Sequence, residues 1–181
     1  MPRFGMVIDT RKCVGCQDCV VACQVENDVP LGHCRDWITT EVRGTFPQLN
    51  MEIRTERCNH CDNPPCVTCC PTGASHVEDF GRTVQVTANK CIGCKACIAA
   101  CPYEARYIDP RSGAVDKCTF CMHRIEAGTG TTSCQEICPT QSIYFGDLDD
   151  AGGEVARLLR VRDWYTLKAD AGTAPKHFYL K

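Results

Sequence analysis

The sequence predicts an α+β fold in which small strands and short helices gather around something other than an ordinary apolar core. Three observations carry this expectation. Cysteine fills 18 of the 181 positions, far above ordinary usage, so covalent or inorganic cross-links must replace part of the core. Sixteen of those cysteines fall into four groups of four. Between the groups lie short alternating segments and turn residues rather than long helical periodicities.

Along the chain, "RFGMVID" (residues 3–9) alternates and reads as a strand. The first group follows: Cys13, Cys16, Cys19 and Cys23, spaced C-x2-C-x2-C-x3-C, with a helix expected over Gln17 to Asn27. Residues 24–57 hold Trp37, Phe46 and the alternating "LNMEIRTE", and are too long for a mere linker. The second group is Cys58, Cys61, Cys66 and Cys70, followed by Pro71. Next, "ASHVEDFGRTVQV" reads as a hairpin turning at Asp79 to Arg82, and "TVQVTAN" as the strand before the third group. That group, Cys91, Cys94, Cys97 and Cys101 followed by Pro102, repeats the first spacing and carries a helical piece over Lys95 to Ala100. A second hairpin, "ARYIDPRSGAV", turns at Asp109 to Gly113. The fourth group is Cys118, Cys121, Cys134 and Cys138, followed by Pro139. The glycine-rich "GTGTTS" inside it lacks the third glycine of a nucleotide loop and reads as a plain loop. Residues 147–181 supply a helix candidate at Gly153 to Arg162, then Trp164, Tyr165 and the end "HFYL". Cys34 and Cys69 belong to no group and read as buried small hydrophobes. Cys69 is also the ligand if the second group slips by one residue, although the Cys-Pro signature favours Cys70.

The run C-x2-C-x2-C-x3-C-P carries a meaning that a lone C-x2-C lacks. Three thiolates within seven residues wrap three corners of an iron–sulfur cubane, while backbone N–H groups of the tight turn offset charge on the sulfurs. The fourth cysteine starts at the wrong angle for the same cube. In two-cluster ferredoxins it ligates the other cluster, and the proline after it turns the chain away. Zinc is satisfied by paired C-x2-C elements and gives no reason for three cysteines in seven residues. Disulfides lack their compartment, because "MPRFGMVIDTRKC" contains no apolar signal region. With a cysteine at every ligand place, [4Fe–4S] is preferred to [3Fe–4S].

Residues 12–23 and 90–101 are identical at seven of twelve positions, and "CNHC" with "CCPTGA" parallels "CTFC" with "ICPTQS". The order is a duplication, and strands and one-turn helices around two cubanes make a ferredoxin-like unit. A formal charge of −2 with both signs interspersed gives no footprint for nucleic acid or an anionic membrane. No stretch approaches the roughly 18 apolar residues that span a bilayer. Lys12, Lys90, Lys95, Lys117, Arg57 and Arg124 lie beside cysteines and read equally as tuners of cluster potential or as solvated charge. His60 and His123 are candidates for hydrogen bonds near a sulfur, against simple packing.

The phrases "RKCVGCQDC", "CNHCDNPPC", "CCPTGA", "KCIGCKACIAACPYEARY", "DKCTFCMHRIEAG" and "ICPT", with the tail "PKHFYL", resemble the iron–sulfur subunits of DMSO-reductase-type molybdopterin complexes. The nearest likeness is to the iron–sulfur subunit of polysulfide or thiosulfate reductases. The resemblance implies four [4Fe–4S] clusters in two nested ferredoxin-like lobes. Cluster 1 would take Cys13, Cys16, Cys19 and Cys138, and cluster 2 Cys118, Cys121, Cys134 and Cys23. Cluster 3 would take Cys58, Cys61, Cys66 and Cys101, and cluster 4 Cys91, Cys94, Cys97 and Cys70. Residues 1–30 with 111–146 would form the outer lobe and 55–110 the inner one. Residues 31–54 and 147–181 would be an insertion and an extension for docking on larger subunits, with extra packing as the second reading. The implied role is electron transfer in anaerobic respiration, with no catalytic site of its own. The implied partners are a large molybdopterin (Mo or W) subunit and a quinone-reactive, multi-helix membrane subunit. The implied place is peripheral to the membrane, on the periplasmic side by export with a partner or on the cytoplasmic face. A free soluble polyferredoxin is the alternative function.

Overall fold

A computed structural model describes Met1–Lys181. In chain order, β1 (Phe4–Asp9) and α1 (Asp18–Glu26) precede a long hairpin of β2 (Asp36–Thr45) and β3 (Gln48–Arg57). Then come α2 (Pro65–Thr68), β4 (Ser75–Val77), β5 (Val84–Val86) and α3 (Ala96–Ala99). β6 (Tyr107–Ile108), β7 (Val115–Asp116), α4 (Met122–Glu126) and α5 (Ser133–Ile137) follow. The chain ends with β8 (Ile143–Asp147), α6 (Glu154–Val161), β9 (Trp164–Tyr165) and β10 (His177–Leu180). The result is α+β, with one four-stranded sheet in the order β8-β1-β10-β9 and three two-stranded hairpins.

The expected elements fall where the patterns placed them. β1 occupies the first alternating segment, and every residue from Gly5 to Asp9 is buried. Such burial on both faces suits an interior strand. Met6 and Ile8 face the main core with Tyr179, whereas Val7 packs with Leu180 against Val155 and Leu158 of α6. The hairpins β4/β5 and β6/β7 enclose the predicted turns.

The duplication is visible in the backbone. Gly15 and Gln17 have φ of 70° and 68°, and their counterparts Gly93 and Lys95 both 64°. A side chain at Gly93 would meet the Gly113 carbonyl at 2.9 Å, so the tight turn that aims three cysteines inward requires glycine there. In the other pair of groups His60 and Phe120 hold equivalent left-handed positions, and their rings stack with centroids 3.8 Å apart.

Three expectations need correcting. Cys34 is exposed and Cys69 only half-buried, so neither is a fully buried hydrophobe; Cys69 packs at the edge of a small core with Cys66 and Cys97. The tail is interior, because β10 pairs in parallel with β1 and both Tyr179 and Leu180 are fully buried. The insertion is divided in character. Asp36 and Arg54 are buried, while Val42, Phe46, Leu49 and Met51 near its tip are exposed.

Candidate metal centres

Three recesses of the fold are each lined by four cysteines. Site I, a recess of 290 Å³, is lined by Cys13, Cys16, Cys19 and Cys138. Site II, of 300 Å³, is lined by Cys23, Cys118, Cys121 and Cys134. Site IV, of 330 Å³, is lined by Cys70, Cys91, Cys94 and Cys97. The four grouped cysteines left over, Cys58, Cys61 and Cys66, which are buried, and Cys101, which is half-buried, are referred to as site III. Each recess joins three cysteines of one group to the last cysteine of another, over up to 125 residues of chain between Cys13 and Cys138. No three His, Cys, Asp or Glu side chains are arranged to hold a single metal ion. The cysteines surround small cavities instead, and that donor set fits a cluster.

Backbone and hydroxyl donors are aimed at the sulfurs. The N–H of Ser75 donates to Cys70 Sγ at 3.3 Å, Val115 to Cys91 at 3.4 Å, Phe120 to Cys118 at 3.5 Å and Ser142 to Cys138 at 3.3 Å. Such bonds stabilise negative charge on a ligand sulfur. The Ser75 N–H accordingly holds the Cys70 thiol below its ordinary range. At Cys138, partial burial is overcome by the hydroxyl and N–H of Ser142, and the net direction is again down. Deeper cysteines go the other way. Burial pushes the Cys19 thiol up to about 11 and the Cys61 thiol up to about 12. A bare chain would hold these groups protonated at neutral pH, so binding iron must release protons.

Similarity to known proteins bears on what these quartets hold. Residues 49–148 match a family described as a 4Fe–4S dicluster domain. Protein NrfC of Escherichia coli (strain K12) is 43% identical over 176 residues, covering 96% of this chain and 78% of that protein. The thiosulfate reductase electron transfer subunit PhsB of Salmonella typhi is 40% identical over 167 residues, covering 90% and 84%. The corresponding B polypeptide of the polysulfide reductase of Wolinella succinogenes is 38% identical over 180 residues, covering 98% and 94%. The chain belongs to the 4Fe–4S dicluster family of reductase iron–sulfur subunits. It is therefore a ferredoxin-like iron–sulfur protein that transfers electrons. The dicluster match starts within β3 and ends after β8, so it spans the second, third and fourth cysteine groups.

In this dicluster-family chain the cations sort by burial. Arg57 and Lys117 are each 1% exposed and Arg106 5%, whereas Lys12, Lys90 and Lys95 are exposed. Arg57 Nη1 donates to Cys134 Sγ at 2.7 Å, and Arg106 Nη2 to Cys66 Sγ at 2.9 Å. Lys117 Nζ donates to the carbonyls of Val84 and, at 2.7 Å, Cys118. Arg124 instead bridges Glu26 and Glu136. Neither histidine bonds a sulfur. His60 Nδ1 accepts from the Val84 N–H at 3.1 Å, and His123 pairs with Glu26. Arg106, Thr55 and Asp36 were missed by sequence reasoning. No helix is long and apolar enough to cross a membrane.

Proposed function

We propose that the chain carries four [4Fe–4S] clusters, at sites I to IV, in two nested lobes. In this reading it relays single electrons between a quinone-reactive membrane subunit and a molybdopterin catalytic subunit of a respiratory reductase of the polysulfide, thiosulfate, sulfite or DMSO type. The observation that carries the reading is that the recesses mix groups, each taking one cysteine from a distant part of the chain. A cluster with four cysteine ligands has no open position and exchanges one electron at a time. The chain's own contribution is to hold the quartets in one body, to donate hydrogen bonds to their sulfurs and to keep water from the buried pair. Sites I and IV each keep an exposed ligand, Cys16 and Cys94; sites II and III have their ligands buried except Cys101. That gradient supports I and IV as the ends of the relay, each open to a partner.

The partition of ligands has a direct test. Cys23→Ala leaves the first group one cysteine short but is expected to remove the cluster at site II, changing the electron paramagnetic resonance (EPR) of that site while site I persists. Loss of site I with site II intact would sink the nested pairing.

Docking rests on the hairpin tip. Its exposed Val42, Phe46 (88% exposed), Leu49 and Met51 form a larger apolar surface than an isolated soluble carrier needs, which favours a bound subunit over a free polyferredoxin. Trimming residues 42–51 to a short turn should leave the iron content and visible spectrum unchanged and abolish co-purification of large partners. A wild-type chain that elutes alone near 20 kDa with all its iron and no partner would instead favour the free carrier.

A further inference from the structure

Cys19 of site I, Cys118 and Cys134 of site II and Cys58 and Cys61 of site III share one buried cluster, and Cys66 of site III packs with Cys91 and Cys97 of site IV in another, which gives the order I–II–III–IV. Cys19 of site I is within electrostatic reach of Cys134 of site II, and Cys118 of site II is within reach of Cys58 of site III. Arg106 is within reach of Cys66 and Cys58 of site III and of Cys97 of site IV. A buried cation stands at each of the three junctions.

At the I/II junction, Arg57 Nη1 donates to Cys134 Sγ, and Nη2 donates at 2.7 Å to Thr55 Oγ1. Thr55 Oγ1 lies 3.6 Å from Cys19 Sγ. The guanidinium thus touches one site directly and the other through a hydroxyl. The III/IV junction repeats the device with residues from elsewhere in the sequence. Arg106 Nη2 donates to Cys66 Sγ and, at 3.0 Å, to Ser75 Oγ. The backbone N–H of Ser75 in turn donates to Cys70 Sγ of site IV. Arg106 also lines the site IV recess. At the II/III junction, Lys117 Nζ donates to the Cys118 carbonyl of site II and to the Val84 carbonyl, and Val84 shares a buried cluster with Cys66 of site III. Several donors remain unused: Arg57 Nε, Arg106 Nε and Arg106 Nη1 are buried without a partner. Unpaired buried donors are costly unless an acceptor arrives, and the inorganic sulfides of a bound cluster are acceptors of that kind.

We propose that Arg57, Lys117 and Arg106 are potential-setting residues, one buried cation per junction, which together keep the two buried central sites reducible. This rests on the four-cluster reading above. The physical need is plain. A reduced cluster carries one more negative charge than its oxidised form, and burial disfavours the more charged state just as it disfavours a buried carboxylate. Without compensation, sites II and III would be harder to reduce than the exposed ends and would interrupt the relay. Each central site is flanked by two of the three cations, and each end site by one. The two direct N–H···S bonds from arginine both go to central sites. Arginine is permanently charged; at the I/II junction the buried carboxyl of Asp36, 3.4 Å from Arg57, offsets part of that charge.

The test uses the full-length holo-protein, with iron and acid-labile sulfide measured first and EPR-monitored potentiometric titration after. Wild-type protein with fewer than four clusters defeats the four-cluster reading itself, whatever the variants do. Arg57→Gln is expected to lower the potentials of sites I and II, and Arg106→Gln those of III and IV. Each should fall by about tenfold in the reduced-to-oxidised ratio, which is about 59 mV for a one-electron couple, while the other pair stays put. Lys117→Met should lower II and III and spare the ends. Arg57→Lys and Arg106→Lys keep the charge and should restore most of the shift. Fully loaded variants whose potentials do not move, or all of whose sites move equally, overturn the proposal. Should a neutral variant lose iron, loss confined to the two adjoining sites and reversed by lysine supports it. Loss at all four sites, unrelieved by lysine, marks the arginine as merely structural and overturns it.

Discussion

Holo-protein stripped of iron by a strong chelator under reducing conditions is expected to lose its near-UV circular dichroism and its cooperative thermal transition. The reason lies in what the core is made of. Nine of the 26 buried apolar side chains are thiols, each belonging to one of the four quartets. Without clusters these side chains line voids, and cavities in a core are destabilising in proportion to their volume. Charge adds a second cost. Lys117 and Arg106 are buried against sulfurs that lose their negative charge once protonated, and a buried charge stripped of its partner costs about 3–5 kcal/mol; Arg57 keeps Asp36 at 3.4 Å. Two such sites are a large fraction of the whole stability of an ordinary domain, about 5–15 kcal/mol. Folding and metal binding are therefore one equilibrium. An apo-protein that retains native near-UV circular dichroism would contradict this.

Deleting residues 177–181 is expected to abolish the native fold even when iron and sulfide are supplied in excess. β10 is an interior strand, hydrogen-bonded to β1 on one side and β9 on the other, and its loss leaves β1 with an open edge. Tyr179 and Leu180 are both fully buried, and Tyr179 also donates to the Thr55 carbonyl at 3.3 Å. The graded version is Tyr179→Ala, with an expected cost of about 3–5 kcal/mol by analogy with other large aromatic truncations. Its readout is a lower melting temperature and faster iron loss to a chelator. A truncated chain with wild-type iron content and melting behaviour would show that the tail is dispensable packing.

Much of this was legible in the residues because the signals were local. A C-x2-C-x2-C run with glycine at its tight turn specifies its own backbone, as Gly15 and Gly93 show by sharing a left-handed conformation. Strand β1 and the two short hairpins announced themselves by alternation and turn residues. What remained hidden was long-range. Nothing in "HFYL" ties it to "GMVI" across some 170 residues, because two short apolar strands carry no address for one another, and so the tail looked peripheral. Arg106 was hidden for a related reason. In sequence it is one charge among many, and only the fold turns it inward onto Cys66. Cys34 failed in the opposite sense, since a free cysteine is usually buried and this one sits on an exposed loop before β2.

The parallel pairing of β1 with β10 also sets a schedule for biosynthesis. Met6 must wait for His177, and Ile8 for Tyr179, so the four-stranded sheet cannot close until β10 has been made. The segment from β4 to β7 has no such dependence, because its two hairpins pair only within themselves. A nascent chain can thus organise its middle early, while its first cysteines stay open until Cys138 and the last strand have been made. Maturation machinery that delivers iron and sulfide can accordingly fill site I only in a chain made at least as far as Cys138.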